Sequence, residues 1–349
     1  RRHTRLVRDW SSDVCSSDLL TAAVGIEVGH KKPLDGVDVW SAIKEGKIIS
    51  RKSVVIGGDG NITMLKDQWK FTQSSESIEL YDVHKDPTET NDLSAEQPHL
   101  LTTFKTLLEP LANKLLVDNP TPQKERKGGG RNKTKEQSSG KRPGDPEEPT
   151  FISSNTLPKE TPRAGSKRAP NFIVILDEGK GWAVTSVQMD DRNPASKTTR
   201  FNTPSLERLA AAGMRFSDGY AAAPRCTPSR IALFTGRNPV AMQLSFVSAS
   251  GGTHVTQRMR MEETTIAELL QPAGYATAHF GKWHVGKENP SQHGFDESDG
   301  PTGNYGPDDV ENPNPKQAIA MTVASIDFME RQVKAGRPFY LQISHYKSQ

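Results

Sequence analysis

Apolar residues fall into two patterned regions separated by a long stretch with no pattern. Short apolar runs at residues 52–56, 62–65, 69–72 and 78–83 are bounded by Gly, Asp and Ser, which predicts four strands joined by turns, a small antiparallel sheet. Leu100, Leu101, Phe104, Leu107, Leu108, Leu111 and Leu115 then recur at helical spacing, predicting a helix over residues 98–116 whose apolar stripe packs on that sheet. Residues 119–169 are rich in Pro, Gly, Lys, Glu and Ser, include a Gly-Gly-Gly run, and lack the aliphatic side chains that offset the entropy of ordering; they read as a disordered linker.

The pattern changes at Pro170. Residues 172–176 form a continuous apolar run, as expected of a strand buried on both faces, and the run ends at Asp177-Glu178. In open parallel α/β sheets ligands bind beyond the carboxyl ends of strands, so this pair marks a candidate site edge. Predicted helices at 204–213, from Cys226 to Thr235 and at 264–274 alternate with strands at 276–280 and 339–343, the arrangement of an α/β layer fold, of which the residues supply about half.

Composition narrows the function classes. Only 34% of the 349 residues are hydrophobic, in keeping with a long unpacked segment. The formal charge is +3, but residues 121–170 hold twelve Lys and Arg against six Asp and Glu, so the remaining chain is net acidic. Basic character confined to a linker, whose run from Lys124 to Arg142 has no aromatic residue, argues against nucleic-acid binding. No run is long and apolar enough for a membrane span, and the charged N-terminus shows no signal peptide. Residues 9–19 read DWSSDVCSSDL, which looks like a translated sequencing adapter; residues 1–20 are therefore set aside as an adapter-derived or disordered tail, Cys15 with them.

The other cysteine lies in Cys226-Thr227-Pro228-Ser229-Arg230, followed by Thr235-Gly236-Arg237. Thr227 is a good N-cap and Pro228 suits a first helical turn, so Cys226 is predicted at a helix N-terminus, where unpaired N–H groups and the helix dipole favour an anion; Arg230, one turn on, can reach the same anion. This segment resembles the signature of type I sulfatases, members of the alkaline-phosphatase-like superfamily. The resemblance implies that Cys226 is oxidised to formylglycine by a formylglycine-generating or sulfatase-maturating enzyme. In that family the hydrated aldehyde attacks sulfur, expels the alcohol and then eliminates sulfate.

Asp177-Glu178 stands where the family carries Asp-Asp. The resemblance implies a calcium ion with Asp177, Glu178 and Cys226 as ligands, Glu178 replacing the second Asp. Gly281-Lys282-Trp283-His284-Val285-Gly286 matches the family's Gly-Lys-Trp-His-x-Gly segment; if extended, Lys282 and His284 share a face, one as a sulfate-binding cation and the other as a proton donor or hydrogen-bond partner. Residues 203–206 and 294–296 also resemble the family and are assigned structural roles. The implied substrate is a sulfate ester, of carbohydrate, and the implied location periplasmic or extracellular. A phosphatase or phosphodiesterase of the same superfamily, or a non-catalytic remnant, is the alternative; the former would present Ser or Thr in place of Cys226.

Two departures shape the expected organisation. Where the family supplies a second histidine, the chain reads Ser344-His345-Tyr346-Lys347-Ser348-Gln349, and the family's Asp-Asn pair and distal lysine have no counterpart. Residues 34–40, 67–70 and 79–93 resemble a sulfatase C-terminal subdomain, yet precede the catalytic part. The expected fold is thus an alkaline-phosphatase-like mixed sheet sandwiched by helices, preceded by a small antiparallel sheet with a helix. The expected domains are 21–118, the linker 119–169, and a truncated catalytic part at 170–349, cut from a tandem double sulfatase and inactive as it stands.

Overall fold

The computed structural model describes residues 10–11, 16–25, 43, 45, 53–58, 61–74, 76–116, 169–191, 193–217, 219–244, 258–303 and 317–346. All the described residues but Ala169 belong to one unit of the chain, Arg1–Asn119 with Pro170–Gln349. Residues 119–168 of the expected linker, Cys15, residues 34–40 and Lys347 to Gln349 lie outside the described residues.

In chain order the first elements are β1 (Trp10–Ser11) and α1 (Ser16–Val24), followed by β2 (Val54–Gly58), β3 (Asn61–Lys66), β4 (Trp69–Gln73), β5 (Ile78–Asp82) and α2 (Pro98–Leu116). Strands β2 to β5 form the expected antiparallel meander, in the order β2-β3-β4-β5. Ile62, Met64, Phe71 and Leu80 of the sheet bury against Phe104 and Leu108 of α2, with the Phe71 and Phe104 rings stacked at 5.4 Å. Burying each such side chain stabilises by about 1.5–3 kcal/mol, which is what holds a short, twisted four-stranded sheet to its helix.

The later elements are β6 (Phe172–Leu176), α3 (Pro204–Ala212), β7 (Gly219–Tyr220), α4 (Cys226–Thr235), α5 (Ile266–Leu270), β8 (Ala276–Gly281), β9 (Glu297–Ser298), α6 (Ala318–Ala335) and β10 (Phe339–Ser344). Strands β6, β10, β8 and β9 build an all-parallel sheet in that order. Side chains alternate across it. Phe339, Leu341 and Ile343 of β10, with Ala276, Ala278 and Phe280 of β8, face Met321 and Phe328 of α6. Tyr340, Phe172 and Val174 face the other way, onto Ile231 and Phe234 of α4 and Ile266 and Leu270 of α5. Leu20 and Val24 of α1 pack against this second layer, so a helix begun inside residues 1–20 rests on the core.

Three local expectations shift. Residues 172–176 are not buried on both faces: β6 is a sheet edge, α6 covers β8 and β10 instead, and Ile173 and Ile175 are 49% and 59% exposed. The helix expected at 264–274 stops at Leu270, after a capping box between Thr265 and Glu268, because Pro272 lies in the next turn and Gly274 adopts φ +87°. The two patterned regions also meet: the Asn238 side chain donates to the Val55 carbonyl at 2.8 Å, and Val240 is buried in the cluster under the antiparallel sheet.

Candidate active site

Four segments converge at the carboxyl edge of the parallel sheet: the turn after β6, the segment after β8, the end of β10 and the N-terminus of α4. Helix α4 begins at Cys226, which is half-buried, with Arg225 in the extended N-cap conformation. Thr227 is therefore not the N-cap. It lies inside the helix, buried, and its hydroxyl donates to the His284 carbonyl at 2.9 Å, tying α4 to the segment after β8. The helix ends at Gly236, φ +68°, whose N–H returns to Ala232.

Arg230, one turn into α4, is 1% exposed. Its Nη1 donates to the Lys282 carbonyl at 2.5 Å and its Nη2 to Glu178 Oε2 at 2.6 Å. The Lys282 ammonium reaches Glu178 Oε1 at 2.7 Å, so one carboxylate holds two buried cations, and the Cys226 thiol hydrogen-bonds to it as well. Burial would raise the Glu178 carboxyl; the Lys282 and Arg230 contacts outweigh burial and bring it down to about 2. Burial lowers the Arg230 guanidinium, a shift that Glu178 counteracts.

His284 reaches this cluster by a route other than strand alternation. The strand ends at Gly281, φ +94°, and His284 itself adopts φ +53°, so the segment is turned and not extended. A Cβ at position 281 would lie 2.1 Å from the Ser344 carbonyl oxygen, which only glycine avoids. Burial, then the charges of Lys282 and Arg230, lower His284 to about 4, and its buried Nδ1 has no hydrogen-bond partner among the described residues. A neutral imidazole is thus held beside the cations at neutral pH.

Asp177 stands apart: its carboxylate pairs with Lys180 and is 44% exposed. Calcium takes about six to eight oxygen ligands. Here Glu178 is committed to Lys282 and Arg230, and no group of three His, Cys, Asp or Glu placed for a metal occurs among the described residues. The described donor set does not fit a calcium ion.

A family model described as Sulfatase matches residues 170–348. The chain belongs to the sulfatase family. Its similarities include rat (Rattus norvegicus) Arylsulfatase G, 38% identical over 142 residues, which is 38% of this chain and 24% of the relative. Mouse (Mus musculus) N-acetylgalactosamine-6-sulfatase is 36% identical over 161 residues, 43% of this chain and 29% of the relative. The dog (Canis lupus familiaris) N-acetylgalactosamine-6-sulfatase is 31% identical over 213 residues, 51% of this chain and 39% of the relative. The chain thus spans well under half the length of these sulfatases. Among solved structures, Ps i-CgsB is 27% identical with a TM-score of 0.41, covering 51% of this chain and 45% of that one.

Within this sulfatase-family region the structure brings Cys226, Arg230, Lys282, His284 and Glu178 together, and leaves Asp177 at the rim. Asp299 and Thr302 also touch the Lys282 segment, and no sequence motif marks either. His279, inside β8, lies beneath it: the ring is fully buried against Phe234, Trp283 and Phe295, and burial lowers it to about 3. No helix among the described residues is long and apolar enough to cross a membrane.

Proposed function

We propose that the protein to which these residues belong is a sulfuric ester hydrolase acting on sulfated carbohydrate, with Cys226 as the residue matured to formylglycine. The observation that carries this reading is the convergence of Cys226, Arg230 and Lys282 at the N-terminus of α4, in a chain of the sulfatase family. Formylglycine supplies a hydrated aldehyde as nucleophile, in place of a thiol. The helix N-terminus and the Arg230 and Lys282 cations attract the sulfate group and neutralise charge that builds on its oxygens. His284, neutral at physiological pH, can hydrogen-bond to groups at the Cys226 position or take a proton from them. Glu178 keeps the two cations in place and must give way, at least in part, as the sulfate group enters.

The calcium ion implied by the family would require Glu178 to leave both cations and further oxygen donors to join it, so no step runs through it here. A maturating enzyme as partner and an exported location follow from the family reading. The test is release of sulfate from an aryl sulfate by protein co-expressed with a formylglycine-generating enzyme, beside Cys226→Ala. Release abolished by the substitution supports the reading; release unchanged by it removes Cys226 from the chemistry.

A further inference from the structure

We infer that Thr302 is a positioning residue: its hydroxyl and carbonyl fix the turned backbone that presents Lys282 and His284. The inference rests on the reading of these two side chains as sulfate-site groups. The segment from Gly281 to His284 leaves the sheet in a conformation that strand pairing cannot hold, since Gly281 and His284 both have positive φ. Its backbone polar groups need other partners, and buried ones are costly to leave unpaired.

Thr302 supplies three of them. Its Oγ1 donates to the Gly281 carbonyl at 2.6 Å and accepts from the Trp283 N–H at 2.9 Å, using both capacities of one hydroxyl. Its carbonyl accepts from the His284 N–H at 2.9 Å. Other anchors come from elsewhere: Asp299 accepts the Gly281 N–H at 2.6 Å, the Ser344 carbonyl accepts the Lys282 N–H at 2.8 Å, and the Lys282 and His284 carbonyls accept from Arg230 and Thr227. Thr302 is buried, at 8% exposure, and its side-chain hydroxyl spans both ends of the Gly281–Trp283 turn. Valine has the same shape and neither hydrogen bond; serine has both hydrogen bonds and less bulk.

The experiment compares Thr302→Val and Thr302→Ser with the parent chain in two readouts, amide hydrogen exchange resolved at residues 281–284 and affinity for inorganic sulfate. Thr302→Val is expected to speed exchange at Trp283 about tenfold or more, given two hydrogen bonds lost, and to weaken sulfate binding similarly, with exchange in the antiparallel sheet unchanged. Thr302→Ser should match the parent in both. Exchange in Thr302→Val that equals the parent overturns the inference, as does a serine variant impaired as much as valine, which would make the role one of shape. If the parent shows the exchange pattern but binds no sulfate, the sulfate-site reading fails while the exchange result still decides the role of Thr302. Should Thr302→Val not fold, Thr302→Ala against Thr302→Ser gives the same comparison of hydroxyl against none.

Discussion

The Lys282 ammonium lies 2.7 Å from the Glu178 carboxylate across a separation of 104 residues, with the two side chains 2% and 12% exposed. Glu178 is thereby the counter-ion of the candidate site, since Arg230 shares it. Removing one partner of a buried ion pair leaves the other charge uncompensated. Glu178→Gln is therefore expected to lower stability by about 3–5 kcal/mol, read as a fall in the urea midpoint. A midpoint unchanged from the parent would mean that the cations are solvated in solution.

Acid stability follows from the same groups. The folded-state values of His284 and His279, about 4 and about 3, lie below the ordinary 6.5, so the unfolded chain binds these protons more readily. The stability they provide is complete above pH 6.5 and declines as pH falls toward their folded values. Glu178, at about 2 against 4.5, adds a second decline below pH 4.5. His284→Asn, a side chain that tolerates the left-handed conformation, should flatten the part of the stability profile between pH 6.5 and 4 that His284 contributes. Urea midpoints measured across pH would show it; a profile as steep as the parent's would contradict the assignment.

At Gly281 a methyl group would meet the Ser344 carbonyl at 2.1 Å and the Met321 sulfur at 2.5 Å. Gly281→Ala is expected to cost on the order of 3 kcal/mol, through positive-φ strain and displacement of β10 from β8. Thermal melts of the variant beside the parent measure the cost. A loss under about 1 kcal/mol would show that the turn relaxes freely.

Calcium and sulfate should behave differently toward this chain. With Glu178 engaged by two cations and Asp177 by Lys180, excess calcium is expected to leave the melting temperature unchanged, whereas sulfate raises it by binding the folded state. A calcium-dependent rise that vanishes in Glu178→Gln would reinstate Glu178 as a metal ligand.

Much of the fold was legible where the signal is local. The apolar spacing from Leu100 to Leu111 identified α2, and the turn residues around β3 and β4 bounded the meander. The Cys226 helix was legible too, although its first residue was set by the extended Arg225 and not by the capping preference of Thr227. What could not be read depends on distant neighbours. The apolar run of β6 says nothing of whether a helix covers Ile173 and Ile175, and α6 does not. The turn at His284 is imposed by Thr227, Thr302 and Ser344, none of them adjacent in sequence, and so appeared as an extended segment. Glu178 was marked by its place after Asp177; the contacts of its two oxygens, with partners 52 and 104 residues away, show only in the folded chain.

Maturation of Cys226 can be read at the residue itself, by peptide mass spectrometry across residues 226–237 after co-expression with a formylglycine-generating enzyme. An aldehyde is expected at position 226, trapped by a hydrazide probe and absent in Cys226→Ala. A Cys226 peptide recovered wholly as unmodified thiol, under conditions that convert a known sulfatase, would contradict it.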